Sequence, residues 1–93
     1  MRIAVDISLY PLNADYVPPI RGFIDRLAAH PGLQFEYNAL STQVSGEIDA
    51  VFAALRAEIG RTFDGPDRAV FVMKMLNAGP AADAASAGAP PAR

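Results

Sequence analysis

The chain has 93 residues with no cysteine, no tryptophan, a single histidine and a formal net charge of −2. This length allows one small domain, and the lack of cysteine excludes disulfides, thiol catalysis and cysteine-ligated zinc. One histidine excludes a metal site that takes several histidines from one chain, and the acidic balance argues against nucleic acid as a partner, because phosphate binding needs clustered cations.

The composition changes at residue 79. Residues 79–93 read GPAADAASAGAPPAR, which is mostly alanine, proline and glycine and contains no large apolar side chain. Such a segment buries too little surface to offset the entropy lost on ordering. We therefore predict a folded domain over residues 1–78 and a disordered tail over residues 79–93.

Neither a secretion signal nor a membrane span is predicted. Asp6 interrupts the N-terminal apolar run, and no small-residue cleavage site follows it. No stretch reaches the roughly 18 apolar residues of a membrane helix. We therefore expect a cytoplasmic protein without membrane contact.

The first predicted element is a half-buried strand over residues 2–10. Pro11 ends it, because proline has no N–H for the ladder. Apolar and polar residues alternate along it, which is the period of a strand with one buried face. The apolar side carries Ile3, Val5, Ile7 and Leu9.

A helix follows, with Asp15 as its predicted cap and Pro18 and Pro19 in its first turn, where proline is tolerated. Residues 30–32, His-Pro-Gly, end it. The apolar side chains recur at helical spacing, which predicts one buried stripe. This stripe consists of Ile20, Phe23, Ile24 and Leu27.

Two short strands come next. Residues 33–38 alternate with Leu33, Phe35 and Tyr37 on one side, and residues 42–46 form a third strand after a tight connection at residues 39–40. The alternation is again typical of strands, so a hairpin is expected here.

A second helix and a fourth strand complete the domain. The helix has an apolar stripe that is expected to be core, followed by a turn at residues 64–67. Residues 69–76, AVFVMKML, form a nearly continuous apolar run, which predicts a strand that is apolar on both faces. The apolar stripe of the second helix consists of Ile48, Val51, Phe52, Leu55 and Ile59.

The order βαββαβ predicts an α+β fold of the ferredoxin-like sandwich type, with both helices on one face of a four-stranded antiparallel sheet. The other face would carry Ala4, Asp6, Ser8 and Tyr10 from the first strand. Since the fourth strand is apolar on both faces, we expect this open face to be covered by a second copy of the chain.

Catalytic chemistry is not indicated, and we predict that the protein is not an enzyme. Glu47 and Asp49 lie at a helix start, where acidic side chains favour the dipole. His30 lies at a helix C-terminus and is expected to cap it. No nucleophile motif or phosphate-binding loop is present. The third strand has neither an aromatic residue nor a cation, which argues against RNA binding.

Small polar side chains gather near the strand ends. They suit either ordinary turn chemistry, which composition alone favours, or hydrogen bonding to a flat heterocyclic ligand. The set consists of Ser8, Tyr10, Asn38, Ser41, Thr42, Gln43 and Asn77.

Two stretches carry a family resemblance. Residues 8–12 read SLYPL and residues 41–52 read STQVSGEIDAVF. Both blocks, in this order, resemble the signatures of the YkoF-like thiamine/hydroxymethylpyrimidine-binding family. The resemblance spans roughly residues 3–77. It departs from the family in Leu12, where a methionine is usual, and in having one domain where YkoF-type members carry two.

The resemblance implies a non-catalytic domain that binds thiamine or its hydroxymethylpyrimidine precursor, holds no further cofactor and self-associates through its sheets as a homodimer or homotetramer. It assigns ligand contacts to Ser8, Tyr10, Ser41, Thr42 and Gln43, with Asn77 at the polar end of the last strand. Pro11 and Gly46 also match the family blocks, but their expected roles concern the backbone. Pro11 would end a strand, and Gly46 would allow a close-packed turn from strand to helix.

We further expect a ligand ring to pack on Tyr10, Met73 or Met75, and Asp6 or Glu36 to offset a thiazolium charge. Three alternatives stay open at the level of sequence. These are a regulatory module for another metabolite, an oxygenase-type ferredoxin-like enzyme and an oligomerisation domain.

Overall fold

Six elements follow one another in the predicted order. The computed structural model describes residues 1–78, so the tail predicted over residues 79–93 lies outside them. The elements are β1 (Arg2–Pro11), α1 (Val17–Ala28), β2 (Gln34–Tyr37), β3 (Thr42–Glu47), α2 (Ile48–Phe63) and β4 (Ala69–Asn77).

The four strands form one sheet in the order β2-β3-β1-β4, and every neighbouring pair is antiparallel. β1 is central, with Ile7 opposite Thr42 of β3 and Met73 of β4. This order and the two crossover helices confirm the ferredoxin-like α+β fold.

The core lies between the sheet and the helices. Alternate residues of β1 are buried, as the period-2 pattern predicts, and they pack with both helices on one face. Phe71 of β4 joins this core through Phe23 and Phe63, with ring centroids 5.0 and 5.4 Å away. The buried apolar residues are Ile3, Val5, Ile7, Leu9, Phe23, Leu27, Val44, Val51, Ala54 and Leu55.

The start of α1 differs from the prediction. Tyr16 precedes the first turn and no side chain caps it, so the assignment of Asp15 as the cap is wrong. A capping side chain accepts from the N–H groups of the second and third helical residues, and here these are Pro18 and Pro19, which have none. The backbone N–H of Asp15 instead donates to Asn13 Oδ1 at 2.8 Å, which closes a turn before the helix.

The prediction that Phe52 belongs to the core is also wrong, because its residue surface is 47% exposed. The buried side of α2 is centred on Val51 and Leu55, and it continues through Ala54 and Glu58. One residue in an α-helix turns the side chain by about 100°, so Phe52 leaves this side. The sequence periodicity predicts an apolar stripe that is wider than the surface that the sheet covers.

Candidate functional site

A groove of about 330 Å³ lies between the end of β1, the first half of α1 and the connection between β2 and β3. The period-2 alternation of β1 sends Ile7 and Leu9 to its floor, and the helical stripe of α1 supplies one wall. None of the lining residues carries a formal charge. They are Ile7, Ser8, Leu9, Tyr10, Pro11, Tyr16, Ile20, Phe23, Ile24 and residues 38–42.

The connection between β2 and β3 is shaped by Asn38. Its Oδ1 accepts hydrogen bonds from the backbone N–H groups of Leu40 and Ser41 at 2.8 and 3.1 Å. Its own N–H donates to the Ser41 carbonyl at 3.0 Å, and Ser8 Oγ donates to the Leu40 carbonyl at 3.5 Å. The side-chain oxygen of Asn38 therefore performs turn chemistry, which holds this wall of the groove against β1.

Thr42 is more deeply buried than the other polar residues that line the groove. The residue is 5% exposed and lines the groove. Among residues 1–78, no group forms a hydrogen bond with its side chain. This hydroxyl is not among the buried polar atoms that lack a partner within residues 1–78, so it keeps contact with solvent and can pair with a ligand that replaces water.

Two half-exposed tyrosines line the groove. Tyr10 comes from β1 and Tyr16 from the residue that precedes α1. Tyr10 lies on the open face of the sheet, opposite Val70. Such rings offer flat apolar surface together with a hydroxyl, which suits a planar heterocycle.

The groove brings together five of the seven residues predicted to bind a ligand. These are Ser8, Tyr10, Asn38, Ser41 and Thr42.

The other two predicted ligand residues lie elsewhere. Gln43 lies opposite Asp6 and Glu36 on the open face of the sheet. Asn77 lies opposite Ile3, seven residues along β1 from Tyr10 and so roughly 23 Å away at the rise of a strand.

Of the residues expected to assist binding, Tyr10 lines the groove, whereas Met73, Met75, Asp6 and Glu36 do not. Met73 and Met75 lie opposite Ile7 and Val5, on the helix side of the sheet. Asp6 forms an ion pair with Lys74 at 3.8 Å. These methionines and Asp6 therefore do not line the groove.

A charged cluster between the two helices was missed by sequence reasoning. Glu58 is only 4% exposed. Its Oε1 accepts from Arg26 Nε at 2.9 Å and lies 3.4 Å from Arg61 Nε, and its Oε2 pairs with His30 Nε2 at 2.7 Å. The prediction that His30 caps its helix is wrong, because its ring binds Glu58. The available signal was a carboxylate at helical spacing within the apolar stripe of α2.

Two opposing effects set the acidity of Glu58. Burial raises the pKa of this carboxyl, while hydrogen bonds from His30 and Arg26 and the charge of Arg61 lower it. The partners outweigh burial, so the pKa of Glu58 lies below its ordinary value. The cluster joins the end of α1 to α2 and does not line the groove, so we regard it as a structural clasp.

Two further features, a membrane-spanning helix and a metal-binding cluster, are absent from residues 1–78. No helix within residues 1–78 is long and apolar enough to cross a bilayer. Over the same range, no group of three histidine, aspartate or glutamate side chains converges as a metal site would need.

Solved structures with the same fold come from both archaea and bacteria. A hypothetical protein of Methanocaldococcus jannaschii is 22% identical with a TM-score of 0.71, covering 82% of this chain and 79% of its own. A Thermotoga maritima protein whose name proposes a role in thiamine biosynthesis or salvage is 19% identical with a TM-score of 0.61, covering 81% and 82%. A Streptococcus pneumoniae protein is 16% identical with a TM-score of 0.65, covering 82% and 86%.

These identities establish the shared fold alone. No curated protein sequence is significantly similar to the chain. The sequence profile of the YKOF-related family, in contrast, matches residues 2–74, which include both β1 with its SLYPL block and the β3–α2 block. The chain therefore belongs to the YKOF-related family.

Proposed function

We propose that this protein binds thiamine, or the hydroxymethylpyrimidine part of thiamine, in the groove between β1, α1 and residues 38–42, and that it does not transform the ligand. The observation that carries the proposal is Thr42, a buried residue that lines the groove and whose hydroxyl forms no hydrogen bond within residues 1–78. Membership of the YKOF-related family supports a thiamine-related role, as does the name of the Thermotoga maritima structure.

The chemistry of the groove suits an aminopyrimidine. This ring is flat and uncharged, and one edge carries ring nitrogens and an amine that exchange hydrogen bonds with hydroxyls. Thr42 and Ser41 would pair with that edge, while Tyr10 and Tyr16 would cover the ring faces. Because no charged residue lines the groove, the cationic thiazolium of thiamine would extend out of it towards solvent.

The lining residues also favour binding over catalysis. The groove has hydroxyl groups, but no histidine, carboxylate or lysine lines it to activate them. A hydroxyl nucleophile needs a neighbouring base within hydrogen-bond reach. We therefore infer a role in delivering, storing or sensing the vitamin.

Isothermal titration calorimetry of the full chain with thiamine and with hydroxymethylpyrimidine tests the proposal. Thr42→Val keeps the shape of the side chain and removes the hydroxyl, so we expect affinity to fall about 2–10-fold, the value of one hydrogen bond. Adding Ser41→Ala should weaken binding further.

The matched control is Ser45→Ala, on the same strand. Ser45 Oγ donates to Gln34 Oε1 at 3.1 Å, and Ser45 does not line the groove, so its loss should leave affinity unchanged. Equal affinity of the wild type and the Thr42→Val, Ser41→Ala double variant would show that the ligand binds elsewhere. Absence of any binding by the wild type would refute the function itself.

A further inference from the structure

Leu40 is the most exposed large apolar residue within residues 1–78. Its surface is 88% exposed, and yet it lines the groove together with Ser41 and Thr42. A single exposed leucine elsewhere on a protein surface needs no explanation. An apolar side chain at a groove, in contrast, is stabilised when a ligand covers it, because the contact removes apolar surface from water.

The backbone at Leu40 is held by the turn in which it lies. Asn38 Oδ1 accepts hydrogen bonds from the N–H groups of Leu40 and Ser41 at 2.8 and 3.1 Å, and the N–H of Asn38 donates to the Ser41 carbonyl at 3.0 Å. These bonds close the connection between β2 and β3 into one compact unit. A ligand that contacts Leu40 therefore has little backbone entropy to remove.

The side chain of Leu40, unlike its backbone, is free to turn. Exposed side chains change rotamer within picoseconds to nanoseconds, which is much faster than a ligand enters or leaves a groove. Tyr10 and Tyr16, each 54% exposed, line the same groove from β1 and from the residue before α1. Three exposed apolar side chains from three separate segments thus line one groove.

We propose that Leu40 is a ligand-contacting residue that turns over the bound ring after the ring has entered the groove, and that it slows release of the ring. This inference rests on the proposed function of the groove. With one edge of the ring paired to Ser41 and Thr42, Leu40 would cover a ring face. Contact with a ring face does not depend on where the ring carries donors or acceptors, so Leu40 adds affinity and the hydroxyls add specificity.

An apolar cover also defines the class of ligand that the groove accepts. Leu40 would exclude water from the hydrogen bonds of Thr42, and such bonds are stronger in a low dielectric. No charged residue lines the groove. A phosphate or carboxylate beneath the leucine would therefore lose its hydration without gaining a cation, which is costly. The expected ligand is a flat ring that is uncharged where Leu40 covers it.

Stopped-flow tyrosine fluorescence of the full chain with hydroxymethylpyrimidine tests the inference. The chain has no tryptophan and three tyrosines, two of which line the groove. Leu40→Ala should raise the dissociation constant about 5–20-fold. The change should lie in the dissociation rate, with the association rate within about twofold of the wild type, because a cover acts after the ligand has entered.

Two further variants serve as controls. Leu40→Met keeps an apolar side chain of similar size and should restore the dissociation constant to within about twofold of the wild type. Leu12→Ala removes another exposed leucine, 61% exposed, which does not line the groove, and it should leave binding unchanged. Since Leu40 is exposed, Leu40→Ala should also keep the thermal midpoint of the wild type, so that a loss of affinity cannot come from unfolding.

The proposed function and this inference fail in different ways. If calorimetry shows that the wild type binds, an unchanged dissociation constant in Leu40→Ala, or an equal loss in Leu12→Ala, would overturn the role of Leu40 and leave the function standing. Equal acceleration of association and dissociation in Leu40→Ala would also overturn it, because Leu40 would then only narrow the entrance. A wild type that binds neither thiamine nor hydroxymethylpyrimidine would overturn both.

Discussion

At the scale of single residues, Glu58 shows how a fold can bury a charged side chain within the apolar stripe of a helix. It lies on the buried side of α2, and Arg26 and His30 reach it from α1 while Arg61 reaches it from its own helix. Burial of an unpaired carboxylate costs several kcal/mol. The three basic side chains offset this cost, and they also fix how the two helices lie together.

Glu58→Gln should therefore lower the free energy of unfolding, by about 1–3 kcal/mol. The substitution keeps the size of the side chain but removes the charge that Arg26 and His30 pair with. Urea denaturation measures the change. Glu36→Gln, an exposed carboxylate on β2, is the control and should change stability by less than about 0.5 kcal/mol. Equal effects of the two variants would show that the clasp contributes nothing.

The same residue predicts a dependence of stability on pH. Since the pKa of Glu58 is lowered in the folded state, its contribution is fully present above the ordinary pKa of a glutamate. It is lost as pH falls through the folded-state value. We expect the stability difference between wild type and Glu58→Gln to shrink as pH falls below about 5, as measured by thermal unfolding across that range. A difference that stays constant or grows in acid would contradict the assignment.

At the scale of elements, the junction between β3 and α2 depends on Gly46. A Cβ built at this residue would lie 2.8 Å from Leu33 Cδ2 and 3.6 Å from Val51 Cγ2. This confirms the close-packed turn expected from the sequence. The lack of a side chain lets the end of β3 pass beneath the start of α2, and so brings Val51 into the core.

Two glycine substitutions should have opposite effects on stability. Gly46→Ala should destabilise the fold by about 1–3 kcal/mol, the cost of overpacking. Gly60→Ala, on the exposed side of α2 where a Cβ meets nothing within 4 Å, should stabilise it by about 0.5–1 kcal/mol through helix propensity. Chemical denaturation of both variants measures this difference, and a stabilising Gly46→Ala would show that Leu33 moves aside freely.

At the scale of the whole molecule, β4 has the composition of a central strand and the position of an edge strand. Its residues meet the core through Ala69 and Phe71, while the side chains from Val72 to Leu76 are exposed. Helices α1 and α2 cover β1 and β3 more fully than β4. The far end of β4 therefore leaves apolar side chains exposed within residues 1–78.

Self-association of the chain, which the family resemblance implies, would couple folding to association. Unfolding of a dimer depends on mass action, so its thermal midpoint should rise by about 3–5 °C for each tenfold increase in protein concentration. Differential scanning calorimetry of the full chain measures this slope, and Val72→Lys should reduce it. A midpoint independent of concentration over a hundredfold range would argue that the domain unfolds as a monomer.

Local patterns predicted the elements well. β1 is recognisable because its alternation matches a strand with one buried face, and α1 because its apolar side chains recur at helical spacing. The family blocks at residues 8–12 and 41–52 include Ser8, Tyr10, Ser41 and Thr42 of the groove. The antiparallel pairing of β1 with β3 explains why these two separated blocks meet.

The amino-acid sequence by itself determined the order of elements, the buried side of β1 and the family, because each depends on residue types at short and regular spacing. Tertiary structure alone decided the register. Register separates Asn77 from Tyr10 by the length of β1 and places Met73 and Met75 on the helix side. It was also tertiary packing that brought Arg26 and His30 to Glu58 and left Phe52 outside the core. These contacts join residues distant in the chain, and their formation depends on how the helices cross the sheet, which no local pattern encodes.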